Sequence, residues 1–167
     1  MPDPIIFREQ QRFKQWWLWL LVYGITTLMW WAFFQQIIRG RSWGTTPAPN
    51  WLIWLMWPVF GLGLPALFHT MTLIVEVRPS RVEIRYRPFV NRSIALSDIE
   101  QVTARTYKPI EEYGGWGIRG WSGQRIAYNV SGDQGVELLL RDGRSVMIGS
   151  QQPETLALAI TAQMGRG

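Results

Sequence analysis

Two uncharged runs dominate the first 75 positions, and a period of two governs most of the later ones. The first run, WWLWLLVYGITTLMWWAFFQQII, extends from Trp16 to Ile38, and the second, WLIWLMWPVFGLGLPALFHTMTLIV, from Trp51 to Val75. About 23 apolar residues suffice to cross a hydrocarbon core of about 30 Å as a helix, and so do roughly the first 20 of the second run. The pattern therefore predicts spans over 16–38 and 51–70, with the remainder of the second run opening a strand. Between them RGRSWGTTPAPN, residues 39–50, has the Gly, Thr and Pro content of a short external connection. Pro58, Gly61, Gly63 and Pro65 predict a kink near one of the prolines. Gly61 and Gly63 are expected to form a small face that packs on the first helix.

Past His69 the apolar positions alternate: Leu73, Val75 and Val77, then, after a turn at Arg78-Pro79-Ser80, Val82, Ile84 and Tyr86. This is the pattern of an antiparallel hairpin with one buried face. RSIALSDIEQVTARTY reads as a strand, a break at Ser97-Asp98 and another strand; RIAYNV is strand-like. Asp142-Gly143 joins GVELLLR to RSVMIGS with a strong hairpin signal. Pro153 and Glu154 then open a helix over about 153–164, with Leu156, Ala159, Ile160 and Gln163 on one face. Six or seven strands and one helix in the last 95 or so residues predict a sheet curled into a partly open barrel, one end covered by the helix.

The order of these elements, with VEVRPSRVEIRYRP, SIALSDIEQVTA and GVELLLRDGRSVMIGSQQPETLALAI as its units, resembles the pleckstrin-homology-like (PH-like) domains of small bacterial membrane proteins. A two-helix hairpin followed directly by such a domain is a recurrent layout there. EEYGGWGIRGWSGQRIAYNVSGDQGVELLLRDG resembles a group of small uncharacterised membrane proteins so arranged. The resemblance covers about 90 residues and implies a fold and a role in binding and scaffolding at a membrane. It implies no catalytic residue. The expected fold class is thus an α+β membrane protein: a transmembrane hairpin in residues 1–70 and a cytoplasmic PH-like antiparallel β-barrel or sandwich, closed by the C-terminal helix, in residues 71–167.

Composition sharpens the division. Nine of the 11 Trp lie between Trp16 and Trp57, and 10 of the 12 acidic residues lie at or beyond Glu76, so a mean hydropathy of -0.03 averages two unlike halves. Trp16, Trp17 and Trp19 at one end of the first run, and Trp30 and Trp31 towards the other, suit rings near the two headgroup layers. The run is longer than a signal-peptide core and lacks a small-residue cleavage site, so it is expected to be retained. Arg8, Arg12 and Lys14 precede the first run and Arg78, Arg81, Arg85 and Arg87 come after the second, against Arg39 and Arg41 in the loop. The positive-inside bias predicts a bacterial inner or plasma-type membrane protein with both termini in the cytoplasm. IIFREQQRFKQWW, with apolar residues among charged ones, is expected along the cytoplasmic interface. A formal charge of +5 spread along the chain fits this topology better than a nucleic-acid-binding face.

Candidate chemistry is sparse. The absence of cysteine excludes disulfides, thiolate metal sites and cysteine nucleophiles. His69, the single histidine, is expected as an interfacial residue; the alternative is a proton relay or pH sensor. EYGGWGIRGWSG matches G-x-G-x-x-G at Gly115, Gly117 and Gly120, but a phosphate-binding loop needs a helix directly after the glycines. WSGQRIAYNV reads instead as a turn and a strand, so the glycines are expected to shape a connection between strands. Glu111 and Glu112, adjacent carboxylates, are expected in a solvated loop. No cofactor or metal is expected.

Three placements of this loop stay open. Tyr113, Trp116, Ile118 and Trp121 close the barrel mouth, dip towards lipid with Lys108, Arg119 and Arg125 drawing anionic headgroups, or anchor a protein partner. The expected role is a non-enzymatic, membrane-anchored module that binds another membrane protein, a second copy of itself or anionic lipid, as an accessory subunit of a membrane complex. The alternative is a small membrane enzyme or transporter component. No nucleic-acid partner is expected.

Overall fold

The computed structural model describes residues 3–42, 46–120 and 124–165. The elements run β1 (Phe7–Arg12), α1 (Trp16–Ile38), α2 (Asn50–Thr70), β2 (Thr72–Val77), β3 (Arg81–Arg87), β4 (Val90–Ala95) and β5 (Ile99–Thr106). They continue with α3 (Pro109–Tyr113), β6 (Gly117–Arg119), β7 (Arg125–Asn129), β8 (Gln134–Leu140), β9 (Ser145–Gly149) and α4 (Pro153–Met164). Two compact units result: Lys14–Thr70, and the residues up to Phe13 together with those from Met71 onward.

In the first unit, α1 and α2 are 23 and 21 residues long and apolar enough to cross a membrane. Only 11% of the most apolar window of each is buried within the protein. Trp16, Leu20, Trp31, Trp51 and Leu62 are among the side chains left exposed. α2 widens into a π-helical stretch over Trp57–Gly63. Pro65 has no N–H to offer the preceding turn, and α1 makes good the loss. Trp30 Nε1 donates to the Gly61 carbonyl at 3.1 Å and Thr26 Oγ1 to the Phe60 carbonyl at 3.3 Å. Trp57 meets Trp30 edge-on, with centroids 5.0 Å apart, and stacks on Phe33 at 4.6 Å. The predicted small face holds for Gly61 only. A Cβ there would meet Trp57 of its own helix at 3.1 Å and Trp30 Nε1 of α1 at 3.5 Å, whereas at Gly63 it would meet only the Pro58 carbonyl of its own helix.

The second unit is a mixed α+β structure of two sheets, ordered β1-β2-β3-β4 and β5-β8-β9-β7-β6. Leu73, Val75, Val77, Ile84 and Tyr86 of the first sheet share one core with Tyr128, Val136, Leu138, Val146 and Ile148 of the second, and Leu156 and Ile160 of α4 complete it. Four features depart from the sequence reading. Eight strands, β2–β9, form among the described residues beyond Met71, where six or seven were expected, and the sheets do not close into a barrel. β7 and β9 pair in parallel, so the second sheet is not purely antiparallel. β2 is buried on both faces, with Gln10 and Arg85 opposite Ile74 and with Arg8, Arg78 and Arg85 paired to Glu76.

The fourth is that residues 7–12 form a strand instead of lying along an interface. β1 pairs antiparallel with β2 from Phe7↔Val77 to Arg12↔Thr72, so the N-terminal segment belongs with the residues beyond Met71. Its inward polar side chains are the reason. The buried Glu9 carboxylate accepts hydrogen bonds from Ser150 Oγ at 2.6 Å and the Gln151 N–H at 2.7 Å. Gln11 Nε2 donates to the Gly149 carbonyl at 2.7 Å. These bonds tie β1 to the chain between β9 and α4, across to the other sheet.

Candidate interaction surface

Up to Gly120 the glycine-rich segment takes regular structure that its composition does not predict. Pro109 occupies the first turn of α3 and Gly114 caps it in the left-handed conformation, φ 76°. Gly117–Arg119 then forms β6, an edge strand on β7. At Gly120 φ is +75° and a Cβ would collide with the Arg125 carbonyl, so the turn between β6 and β7 requires glycine. As expected, the next described element is a strand, β7, and not a helix. Asn129, fully buried, holds the segment down: its Oδ1 accepts from the Gly117 N–H at 2.8 Å and its Nδ2 donates to Tyr107 Oη at 2.9 Å.

The predicted contact residues divide between inward and outward placement. Trp116 is half-buried and its Nε1 donates to the Gly132 carbonyl at 3.0 Å. Arg119 is exposed, its Nε bound to the Trp116 carbonyl at 3.1 Å. Tyr113 is half-buried, edge-on to Tyr107 with centroids 5.9 Å apart, and the Arg125 guanidinium sits 5.4 Å over its ring. Lys108 Nζ pairs with Glu111 at 2.9 Å. Trp121 lies outside the described residues. The structure thus joins Tyr113 to Arg125 and Trp116 to Arg119, and neutralises Lys108 locally.

Sequence reasoning missed the ion-pair cluster beside them. Arg105 Nε meets Glu137 at 2.6 Å and its NH1 and NH2 grip both Glu112 oxygens at 3.2 and 2.8 Å. Arg125 reaches Glu112 at 3.4 Å and Ser145 Oγ donates to Glu137 at 2.6 Å. Glu112 was expected in a solvated loop; it lies in α3 instead and folds back onto the start of that helix, accepting the Lys108 N–H at 2.8 Å. The Arg105 hydrogen bond, then that N–H, lowers the Glu112 carboxyl to about 2. Burial alone would raise Glu137, but Ser145 and Arg105 outweigh it and leave it lowered. The only advance signal was alternation along VTARTY, and alternation does not tell which residue of a distant strand lies opposite.

The outer face of the first sheet forms a second charged surface. Its register lines up three rows: Arg12–Thr72–Arg87, then Gln10–Ile74–Arg85–Asn91, then Arg8–Glu76–Glu83–Ser93. Glu76, 2% exposed, is held by Arg78 and Arg85 at 3.0 Å each and by Arg8 at 3.5 Å. Glu83, directly opposite, is bound by Arg85 at 2.6 Å and Arg81 at 2.8 Å; these two bonds lower its carboxyl. A groove of about 700 Å³ runs along β3 and β4, from Arg81 to Arg87 and Phe89. The alternation in RVEIRYR was legible in advance, but the pairing that leaves some arginines without an acid was not.

His69 has partners in its own unit: Tyr23 Oη lies 2.9 Å from Nε2 and the Trp19 ring centroid 4.6 Å from the imidazole. Among the described residues no three His, Asp or Glu side chains gather as a metal site.

No curated protein matches the chain. A family model matches residues 2–165, nearly the whole length, and on that ground the chain belongs to a family of unknown function, DUF6141.

Proposed function

We propose that the protein is a membrane-anchored, non-enzymatic binding module. α1 and α2 span the bilayer and the two-sheet unit, PH-like in its order of hairpins and final helix, works at the cytoplasmic face on a neighbouring membrane protein. The observation that carries this reading is the exposure of two apolar helices that interrupt a folded polar unit. Side chains such as Trp16, Leu20 and Trp51 are largely exposed among the described residues, and a bilayer covers them. Direct pairing of Arg12 with Thr72 adds a second support. The helical segment leaves and rejoins adjacent strands, as a hairpin with both ends on one side of a membrane requires, and the positive-inside bias makes that side cytoplasmic. Tethering concentrates the unit near other membrane proteins, and the Trp116–Arg119 and Tyr113–Arg125 pairs offer the aromatic and guanidinium anchors common at interfaces.

The test is purification of the intact chain from gently solubilised membranes after carbonate washing. The expected result is a wash-resistant protein with a stoichiometric polypeptide partner, released by Arg119→Ala with Arg125→Ala. Recovery in the carbonate supernatant would sink the anchoring, and recovery as this polypeptide alone would sink the accessory role. A second reading, a small membrane enzyme or transporter component, draws on the Tyr23–His69 hydrogen bond between the two apolar helices. It requires a substrate-dependent activity that His69→Ala abolishes.

A further inference from the structure

The outer face of the first sheet is charged unevenly along its strands. Its carboxylates, Glu76 and Glu83, lie together in the third row and are matched by Arg8, Arg78, Arg81 and Arg85. Arg85, in the middle row, leans towards them, with contacts of 3.0 and 2.6 Å. The first row is left with two exposed cations, Arg12 and Arg87, on either side of Thr72. Neither guanidinium has a carboxylate or hydrogen-bond partner among the described residues. Cross-strand neighbours share a face, so across two strand steps the two charges project together, with Cα atoms roughly 10 Å apart.

Beside Arg87 the chain turns through Pro88 and Phe89, closed by the Phe89 N–H to the Tyr86 carbonyl at 2.8 Å. Phe89 is 55% exposed. A large apolar ring beside unpaired guanidinium groups is the composition of a surface that meets headgroups and the first methylenes below them. The covalent chain restricts where this end can go. Arg12 is four residues before Trp16 of α1, and Thr72 comes two after Thr70 of α2, a reach of roughly 14 and 7 Å at full extension.

We propose that Arg12, Arg87 and Phe89 form a docking surface for the anionic phospholipid headgroups of the bilayer that α1 and α2 span. This rests on the membrane-spanning reading above. It moves the lipid contact away from the glycine-rich segment, where Lys108 and Arg125 already have the carboxylates of Glu111 and Glu112. Docking there fixes which face of the two-sheet unit is left for a partner. The attraction is electrostatic, so it weakens with salt over a screening length of about 10 Å at 0.1 M.

The chain has no cysteine, so single spin labels are placed at Phe89→Cys and, on the exposed surface of α1, at Leu20→Cys. Full-length protein is reconstituted in bilayers of phosphatidylcholine alone or mixed with phosphatidylglycerol. Dissolved oxygen and a water-soluble nickel chelate then report the depth of each label. The Leu20 label is expected in lipid in both bilayers. The Phe89 label is expected to be shielded from nickel and reached by oxygen only in the anionic bilayer. Arg12→Gln and Arg87→Gln, checked by thermal unfolding to leave the fold intact, each lower the docked-to-undocked ratio about five-fold.

A Phe89 label that stays in water while the Leu20 label is in lipid overturns the docking surface alone. So does one shielded from both reagents only when an acidic protein is added, which assigns the surface to that class of partner. A Leu20 label in water overturns the membrane reading on which the surface depends.

Discussion

Asn129 uses both ends of its side-chain amide without any access to water, on the Gly117 N–H and on Tyr107 Oη. Truncation to alanine removes these partners from the buried Tyr107 Oη and the half-buried Gly117 N–H, which costs about 1–3 kcal/mol. Asn129→Ala is therefore expected to lower the denaturation midpoint and to speed amide exchange at Gly117–Arg119, while exchange in β2 and β3 is unchanged. Glu112 carries a pH dependence whose sign is set by its carboxyl lying at about 2, below the ordinary value of 4.5. Between those limits the unfolded chain binds the extra proton, so the contribution of Glu112 is complete above about 4.5 and disappears as pH falls through about 2. The pair is partly open to solvent, so the contribution is about 1 kcal/mol. Glu112→Gln should make stability flatter over that acid window and slightly lower near neutrality, as read by thermal unfolding across pH. Neither role was legible beforehand. An asparagine at the end of RIAYNV and a glutamate before a tyrosine look like ordinary strand-end and loop residues until the neighbouring strands are in place.

α2 shows how an element keeps prolines that its own hydrogen bonds do not favour. Widening over Trp57–Gly63 and side-chain donors from α1 satisfy the Phe60 and Gly61 carbonyls. Interhelical bonds of this kind contribute about 0.6 kcal/mol each on average in a membrane protein. The double variant Thr26→Val with Trp30→Phe, which removes both donors and trims the ring that meets Trp57, should weaken pairing of the helices by at least about 1 kcal/mol. Its check is the detergent denaturation midpoint, with Thr27→Val, which removes neither donor, as control. Strand elements were readable where alternation was strong, as in β3 and the β8–β9 hairpin. β1 was not, because its inward positions include Glu9 and Gln11, polar side chains that alternation assigns to solvent.

The whole molecule is a folded unit interrupted by an apolar insertion. Arg12 and Thr72 are register partners, so the insertion Lys14–Thr70 occupies the turn of what is otherwise a β1–β2 hairpin. Two expression variants test this organisation. Residues 71–167 alone lack β1, which bares the edge of β2 and removes the partners of Ser150, Gln151 and the Gly149 carbonyl; this fragment is expected to aggregate. Joining residues 3–13 to 71–165 through a short Asn-Gly turn restores the strand and should give a water-soluble, cooperatively unfolding domain. Equal solubility of the two would mean that β1 is dispensable.

The sequence by itself determined the two apolar helices, the β2–β3 and β8–β9 hairpins, the break at Ser97-Asp98, the final helix, and the strand β7 after the glycines. Each depends on periodicity or on residues close together in the chain. Tertiary structure decided the membership of β1, the parallel pairing of β7 with β9, the Arg105–Glu112–Glu137 cluster, and the isolation of Arg12 and Arg87 from every carboxylate among the described residues. Those features depend on which distant strand lies alongside and in what register, and local patterning does not encode that choice. Burial of Glu9 beside Ser150 and Gln151, more than 140 residues away, becomes favourable only when the strands that supply its partners have formed.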